Sequence, residues 1–121
     1  MCVDLTAVDY LKFGDRDLPE SVSPERFEVV ASFICHDRKE RLRARTQIPE
    51  ADKTIDSLYA IYPGTDFQER EVFDMFGISF TGHPDLSRIL MPEDWNGNPL
   101  TKDYDIGSIP VQFKYPQGGY E

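Results

Sequence analysis

Phe27-Glu28-Val29-Val30-Ala31-Ser32-Phe33-Ile34-Cys35 puts Phe27, Val29, Ala31, Phe33 and Cys35 on one face, with Val30 and Ile34 giving partial cover to the other. That is the period of a β-strand. After a polar loop, Leu42, Ala44, Thr46 and Ile48 alternate with Arg43, Arg45 and Gln47, the pattern of a strand with one face to a core and the other to water or a partner. The two runs predict an antiparallel hairpin over 27–48 that carries the sheet, with Phe27, Val29, Phe33, Leu42 and Ile48 inside. The basic cluster Arg38, Lys39, Arg41, Arg43 and Arg45 falls at its tip and second strand, where it reads either as a solvated end or as a dock for an acidic surface.

Before the hairpin, residues 3–10 mix apolar and acidic positions and fit a first strand, ended by turn chemistry between Gly14 and Pro24. After it the period moves towards 3.6. Ile55, Leu58, Tyr59 and Tyr62 stand at i, i+3, i+4 and i+7, which predicts a short helix stopped by Pro63-Gly64. Thr65 or Asp66, with Gln68 and Glu69 three residues on, can cap a second helix of about three turns, and Gly77 can supply the left-handed residue past its end. Five of the nine prolines and five of the eight glycines lie beyond residue 80, so short extended pieces and turns follow. The fold class expected is α+β, with a mainly antiparallel or mixed sheet, two to three helices and an extended C-terminal arm. Residues 1–104 form the domain. Residues 105–121 form the arm, because Ile109, Val111, Phe113 and Tyr115 among so many glycines and prolines suit a partner's surface better than a small core.

A chain of 121 residues with 40% hydrophobic and 29% charged positions can fold as one domain without a disulfide or metal staple. Cys2 and Cys35 lack CxxC spacing and fit reduced thiols. The opening Met1-Cys2-Val3-Asp4 has neither the basic start nor the apolar stretch of a secretory signal, and the longest apolar run, from Val29 to Cys35, is broken by Ser32 and far short of a bilayer span. The net charge of −9, unevenly split as −3 over residues 1–60 and −6 over residues 61–121, repels phosphate backbones and argues against nucleic-acid binding.

The densest polar constellation is Glu69-Arg70-Glu71-Val72-Phe73-Asp74-Met75-Phe76-Gly77, followed by His83-Pro84-Asp85-Leu86 and Arg88-Ile89-Leu90. On a helix Arg70 and Asp74 are one turn apart and can pair at the surface for about 0.2–0.5 kcal/mol. Arg88, set among Leu86 and Ile89-Leu90-Met91, needs water or acceptors, which the Glu69–Asp74 carboxylates or a partner could supply. Metal chemistry is disfavoured, because the two histidines are 47 positions apart and no HExxH or cysteine cluster is present. Asp94, Asn96 and Asn98 around Gly97 lack the spacing and the closing Glu of a calcium loop. There is no GxGxxG, no phosphate loop and no nucleophile motif. Taken alone, the residues describe a non-catalytic binding subunit.

The stretch from Ser57 to Tyr104, with Asp66-Phe67-Gln68-Glu69-Arg70-Glu71, Asp74-Met75-Phe76-Gly77-Ile78, Gly82-His83-Pro84-Asp85-Leu86, Arg88-Ile89-Leu90-Met91-Pro92, Asp94-Trp95, Pro99-Leu100 and Lys102-Asp103-Tyr104, closely resembles the C-subunit family of proton-pumping NADH:quinone oxidoreductase, respiratory complex I. The resemblance reaches back to Asp4-Leu5-Thr6-Ala7-Val8-Asp9-Tyr10. It implies an α+β domain in the peripheral arm, beside the large quinone-site subunit and other arm subunits, on the cytoplasmic face of the bacterial cell membrane. It also implies no cofactor on this chain, with NADH, flavin, iron–sulfur clusters and quinone held by neighbouring subunits. Glu69, Arg70, Glu71, Asp74, His83, Arg88, Lys102, Asp103 and Tyr104 match the signature and are expected at the partner interface, none of them catalytic. The sequence departs from the usual pattern at Ser87, Thr101 and Asp105, and against the resemblance these 121 residues lack most of the N-terminal segment, with a helix, that is expected before the first strand. The same signature is shared by subunits of plastid-type dehydrogenases and membrane-bound hydrogenases, and a soluble acidic interaction module is the reading outside that group.

Overall fold

Period-two alternation yields three long strands in the computed structural model, which describes residues 1–11, 13 and 16–104. β1 (Cys2–Asp9), β2 (Phe27–Cys35) and β3 (Glu40–Ile48) form an antiparallel sheet in the order β1-β2-β3. Leu5 faces Ala31, Ala7 faces Val29 and Asp9 faces Phe27 across the first pair; Phe27 faces Ile48 and Phe33 faces Leu42 across the second. A turn at 36–39 closes the hairpin with Lys39 at φ 54°. Residues opposite one another share a face, so Leu5, Ala7, Phe27, Val29, Ala31 and Ile48 make one side of the core. Burying a side chain such as Phe27 contributes about 1.5–3 kcal/mol.

The other side comes from a β-α-β unit. β4 (Thr54–Asp56) pairs in parallel with β5 (Ser79–Thr81), with α1 (Asp66–Phe76) between them. Val72, Met75 and Phe76 of α1, with Ile78 and Phe80, meet the sheet. The expected α+β class and the hairpin are both present. The short helix expected between Pro49 and Pro63 is not: Ile55 sits in β4, and the spacing of Leu58, Ile61 and Tyr62 produces one turn, with the Ile61 and Tyr62 N–H groups donating to the Leu58 carbonyl. The parallel partner Ser79–Thr81 overrides the local helical period.

Burial along β3 also differs from expectation. Ile48 is buried, but Leu42 is 65% exposed and Ala44 and Thr46 are exposed as well. α1 packs against β1, so the core side of β3, an edge strand, is left uncovered. Phe33 is half-buried and Cys35 exposed for the same reason. The expected arm, 105–121, lies outside the described residues.

Both ends of α1 depart from simple capping. Thr65 is its N-cap without a side-chain cap bond; a 3-10 turn at Pro63–Thr65 feeds into the helix instead, and Glu69 is engaged elsewhere. At the other end Gly77 is left-handed, φ 78°. The last helical bond runs from the Gly77 N–H to the Phe73 carbonyl; four carbonyls lose helical partners at a helix C-terminus, and here three of them find donors: Asp74 from the Asn98 amide, Met75 from the Leu100 N–H and Phe76 from the Lys53 ammonium.

Candidate functional site

The signature residues gather around α1 and the irregular segment 82–104 that wraps it. Asp74 is fully buried. Its Oδ2 accepts three successive backbone N–H groups, from Ile89 (3.1 Å), Leu90 (2.7 Å) and Met91 (2.9 Å). Its Oδ1 accepts from the Arg88 guanidinium at 2.8 Å, and a second Arg88 nitrogen donates to the Gly97 carbonyl at 2.9 Å. Burial pushes the Asp74 carboxyl up, but the three N–H groups and the Arg88 charge outweigh it and hold the carboxyl below its ordinary value.

Arg70 does not pair with Asp74 on the surface, the arrangement its spacing suggested. Its guanidinium donates to the carbonyls of Ser87 (3.1 Å) and Arg88 (3.2 Å). Turning towards a segment rich in backbone acceptors satisfies a partly buried cation better than an exposed i,i+4 pair would. Arg88 therefore uses the acceptor inside the domain that its apolar flanks called for.

Glu69 is also fully buried. It accepts from the hydroxyls of Ser57 and Thr65 and from the Leu58 N–H at 2.7 Å. These are neutral donors, and together they hold the loop after β4 against α1. The His83 ring is fully buried. Nδ1 accepts the Asp85 N–H at 3.0 Å, so Nε2 carries the proton and donates to Asp66 Oδ1 at 2.9 Å. The ring lies 5.9 Å from that of Tyr59.

Lys102, Asp103 and Tyr104 close the far end of the wrap. The Lys102 N–H donates to Asp9 Oδ2 at 2.7 Å, Asp103 accepts from Arg26 at 2.9 Å, and the Tyr104 hydroxyl accepts from the Trp95 indole at 2.8 Å. Arg26 ties four segments, because its fork binds both oxygens of Asp9 at 2.9 Å and it reaches Glu50 at 2.9 Å besides Asp103. Asp9 is pushed up by burial and pulled further down by Arg26 and by the Lys102 and Leu11 N–H groups, so its net shift is downward. Gly97 at φ 93° is needed at the same place: a Cβ there would stand 2.7 Å from the Tyr104 ring.

Of the nine expected interface residues, Glu71, Lys102 and Asp103 are exposed, and the other six are partly or fully buried inside the domain. Among the described residues no group of three or more His, Cys, Asp or Glu is arranged to hold a metal ion. No helix among them is long and apolar enough to cross a membrane. The chain matches, over residues 1–109, the family described as respiratory-chain NADH dehydrogenase, 30 Kd subunit.

The chain belongs to that family.

It is 45% identical over 117 residues to the NADH-quinone oxidoreductase C-subunit of Mycobacterium avium, covering 97% of this chain and 46% of that protein. To the corresponding C-subunit of Herpetosiphon aurantiacus it is 48% identical over 111 residues, covering 92% of this chain and 59% of that protein. The chain thus spans about half the length of the curated relatives it matches. A solved structure of a trypsin-resistant fragment of Nqo5 superposes with a TM-score of 0.60 at 34% identity, covering 71% of this chain and 64% of that one.

In this family member several of the residues that organise the site give little sign of it in the sequence. Asp9 and Arg26 carry no local signal, since their meeting depends on a register 17 positions apart. Glu28 does: it is an acid in an otherwise apolar run, buried on the outer sheet face, where Arg45 and Gln47 donate to it at 3.1 and 2.7 Å. Burial raises its carboxyl, and those two partners more than reverse the shift. Lys53, which lies 4.4 Å over the Phe27 ring, is depressed chiefly by burial and then by the Arg26 charge.

Proposed function

We propose that this chain is a non-catalytic subunit of a proton-translocating NADH:quinone oxidoreductase, placed in the peripheral arm beside the large quinone-site subunit on the cytoplasmic face of the membrane. NADH, flavin, iron–sulfur clusters and quinone belong to its neighbours in this reading. Family membership over residues 1–109 supplies the complex. The observation that carries the non-catalytic part is the employment of Asp74, Glu69 and His83, the residues best suited to acid-base work, in holding backbone and side chains of the same domain. A general acid or base must reach a substrate proton, and these groups face inward.

The partner interface proposed from the signature is then built in two layers. Glu71, Lys102 and Asp103 present exposed side chains to a neighbour, while Glu69, Arg70, Asp74, His83, Arg88 and Tyr104 set the shape of the surface from beneath. Residues 1–104 act as the body, with 105–121 as the proposed arm. A tagged copy of the chain, extracted in mild detergent, should co-purify with proteins carrying flavin and iron–sulfur clusters, and the purified chain alone should show no NADH oxidation. Turnover by the chain alone, or its isolation free of such proteins, would overturn the reading.

A further inference from the structure

β3 carries three open features on one strand. Every other residue of an antiparallel edge strand turns its N–H and C=O away from its single partner, and no described segment pairs with the outer edge of β3. Its inner face exposes Leu42, Ala44 and Thr46. A cavity of about 120 Å³ lies there, with Ala44 and Thr46 on one wall and Phe33, Ile55, Leu58 and Phe80 among the others. Towards the hairpin tip a wider hollow of about 720 Å³ is bounded by Met1, Phe33, Leu42 and Tyr62 and by the charged Glu40 and Arg41 at the strand edge; the rings of Phe33 and Tyr62 sit 5.6 Å apart in it. The outer face carries Arg41 and Arg43, opposite Ile34 and Ser32. Arg38 pairs with Glu40 and Arg45 with Glu28, but among the described residues no ion pair reaches Arg41 or Arg43.

An edge that needs only protection is blunted by charge and kept short or twisted. β3 carries charge on its outer face, but its nine residues are long for a blunted edge and an apolar trough lies under the other face, which gives it the character of a strand acceptor, in which main-chain bonds give affinity and alternate side chains give selectivity. We propose that the free edge of β3 accepts an extended segment of a partner protein in which apolar and acidic side chains alternate. The apolar side chains enter the trough beneath β3, and the carboxylates face Arg41 and Arg43. This deepens the reading proposed above and rests on it for the biological setting. Charge selects the occupant: Arg41 and Arg43, which no ion pair reaches among the described residues, attract carboxylates locally, against a net charge of −9 that acts at longer range. A second copy is disfavoured, because two β3 strands paired about a two-fold axis would bring their arginines together, and like charges across strands destabilise.

The test uses the full chain and two synthetic peptides of about ten residues, one alternating Glu with Val and Phe, the other with Lys at each Glu position. Binding is read by fluorescence anisotropy, and its location by hydrogen exchange over residues 40–48. The acidic peptide should bind about tenfold or more tightly than the basic one, weaken with added salt and slow exchange in β3. R41E/R43E should reverse the preference, and L42D should weaken binding without moving the melting temperature. Equal binding of the two peptides, protection elsewhere than β3, or a dimer of the chain protected at β3 would each overturn the proposal. The peptide assay needs no complex. A chain that binds the acidic peptide but fails to co-purify with an NADH:quinone oxidoreductase leaves the strand site standing and removes the proposed membership of that complex; the opposite pattern removes the strand site alone.

Discussion

Arg70 and Asp74 stand one turn apart on α1 and grip the same short segment through opposite halves of its backbone: Arg70 takes the carbonyls of Ser87 and Arg88, and Asp74 takes the N–H groups of Ile89, Leu90 and Met91. One helical face thus reads five consecutive residues that have no secondary structure of their own. The segment is ordered by side chains, so its stability should follow those side chains.

Asp74→Asn keeps the shape, removes the charge opposite Arg88 and turns one acceptor into a donor facing N–H groups. Breaking a buried pair by neutralising one member costs about 3–5 kcal/mol. Chemical denaturation should show a loss of that order; an unchanged midpoint would mean that segment 87–91 is held by something else.

The acid side of the stability curve follows from the same carboxylates. Asp74 and Asp9 both lie below their ordinary value of 3.8 in the folded state, so between the folded and unfolded values the unfolded chain binds more protons. Their stabilisation is fully present above the ordinary value and is lost as pH falls through the lowered ones. Melting temperature should stay level, as far as these two groups govern it, from neutrality to about pH 5 and fall below about pH 4. Asp74→Asn should flatten that fall, which differential scanning calorimetry across the range would register.

Glu69 offers a graded comparison. Glu69→Ala leaves the Leu58 N–H and the Ser57 hydroxyl without this acceptor, while the Thr65 hydroxyl keeps the Tyr62 carbonyl, at about 1–3 kcal/mol for each buried group that stays unsatisfied. Glu69→Gln keeps one acceptor oxygen and should lose less. Equal losses in urea melts would show that the second carboxylate oxygen and its charge, which both variants remove, set the cost, because Gln leaves no cavity.

Phe27 and Leu42 separate the two edges of the core. Phe27→Ala, at a position 1% exposed, should cost about 3–5 kcal/mol. Leu42→Ser, at a position 65% exposed, should stay within about 0.5 kcal/mol in the chain alone. A large loss at Leu42 would contradict the uncovered inner face of β3.

Gly77→Ala tests the end of α1. A Cβ there meets Asn98 Oδ1 at 2.7 Å and Lys53 Nζ at 2.9 Å, on a residue at φ 78°. Left-handed backbone alone costs a non-glycine residue about 1–3 kcal/mol, and displacing Asn98 and Lys53 uncaps two carbonyls besides. Thermal melts should fall accordingly, and wild-type stability would show that the wrap yields freely.

What could be read in advance was local. β1, the hairpin, α1 and the left-handed Gly77 each follow from period or from one residue's backbone freedom. The helix expected across Ile55 to Tyr62 is absent because a strand of three residues is defined by its partner, Ser79–Thr81, and not by its own period. Leu42 is exposed because alternation reveals which face a residue takes and not whether anything covers that face. In the site, the resemblance pointed to Glu69, Asp74, His83 and Arg88, but the inward direction of Glu69 depends on where the loop after β4 runs, and that of the other three on where segment 82–104 runs, which no spacing encodes. Arg26 was invisible, since its partners Asp9, Glu50 and Asp103 come from three separate segments.

The bond from the Lys102 N–H to Asp9 joins positions 93 apart. During synthesis at about 5–20 residues per second, the buried carboxylate of β1 waits on the order of 5–20 s after its own appearance before its last donor is made. β1, β2 and β3 can pair in the meantime, but the wrap at 82–104 is delivered only after them. The sheet is therefore early in the life of the molecule, and the shape a neighbour would meet is late, arriving only once the segment 82–104 has followed the sheet.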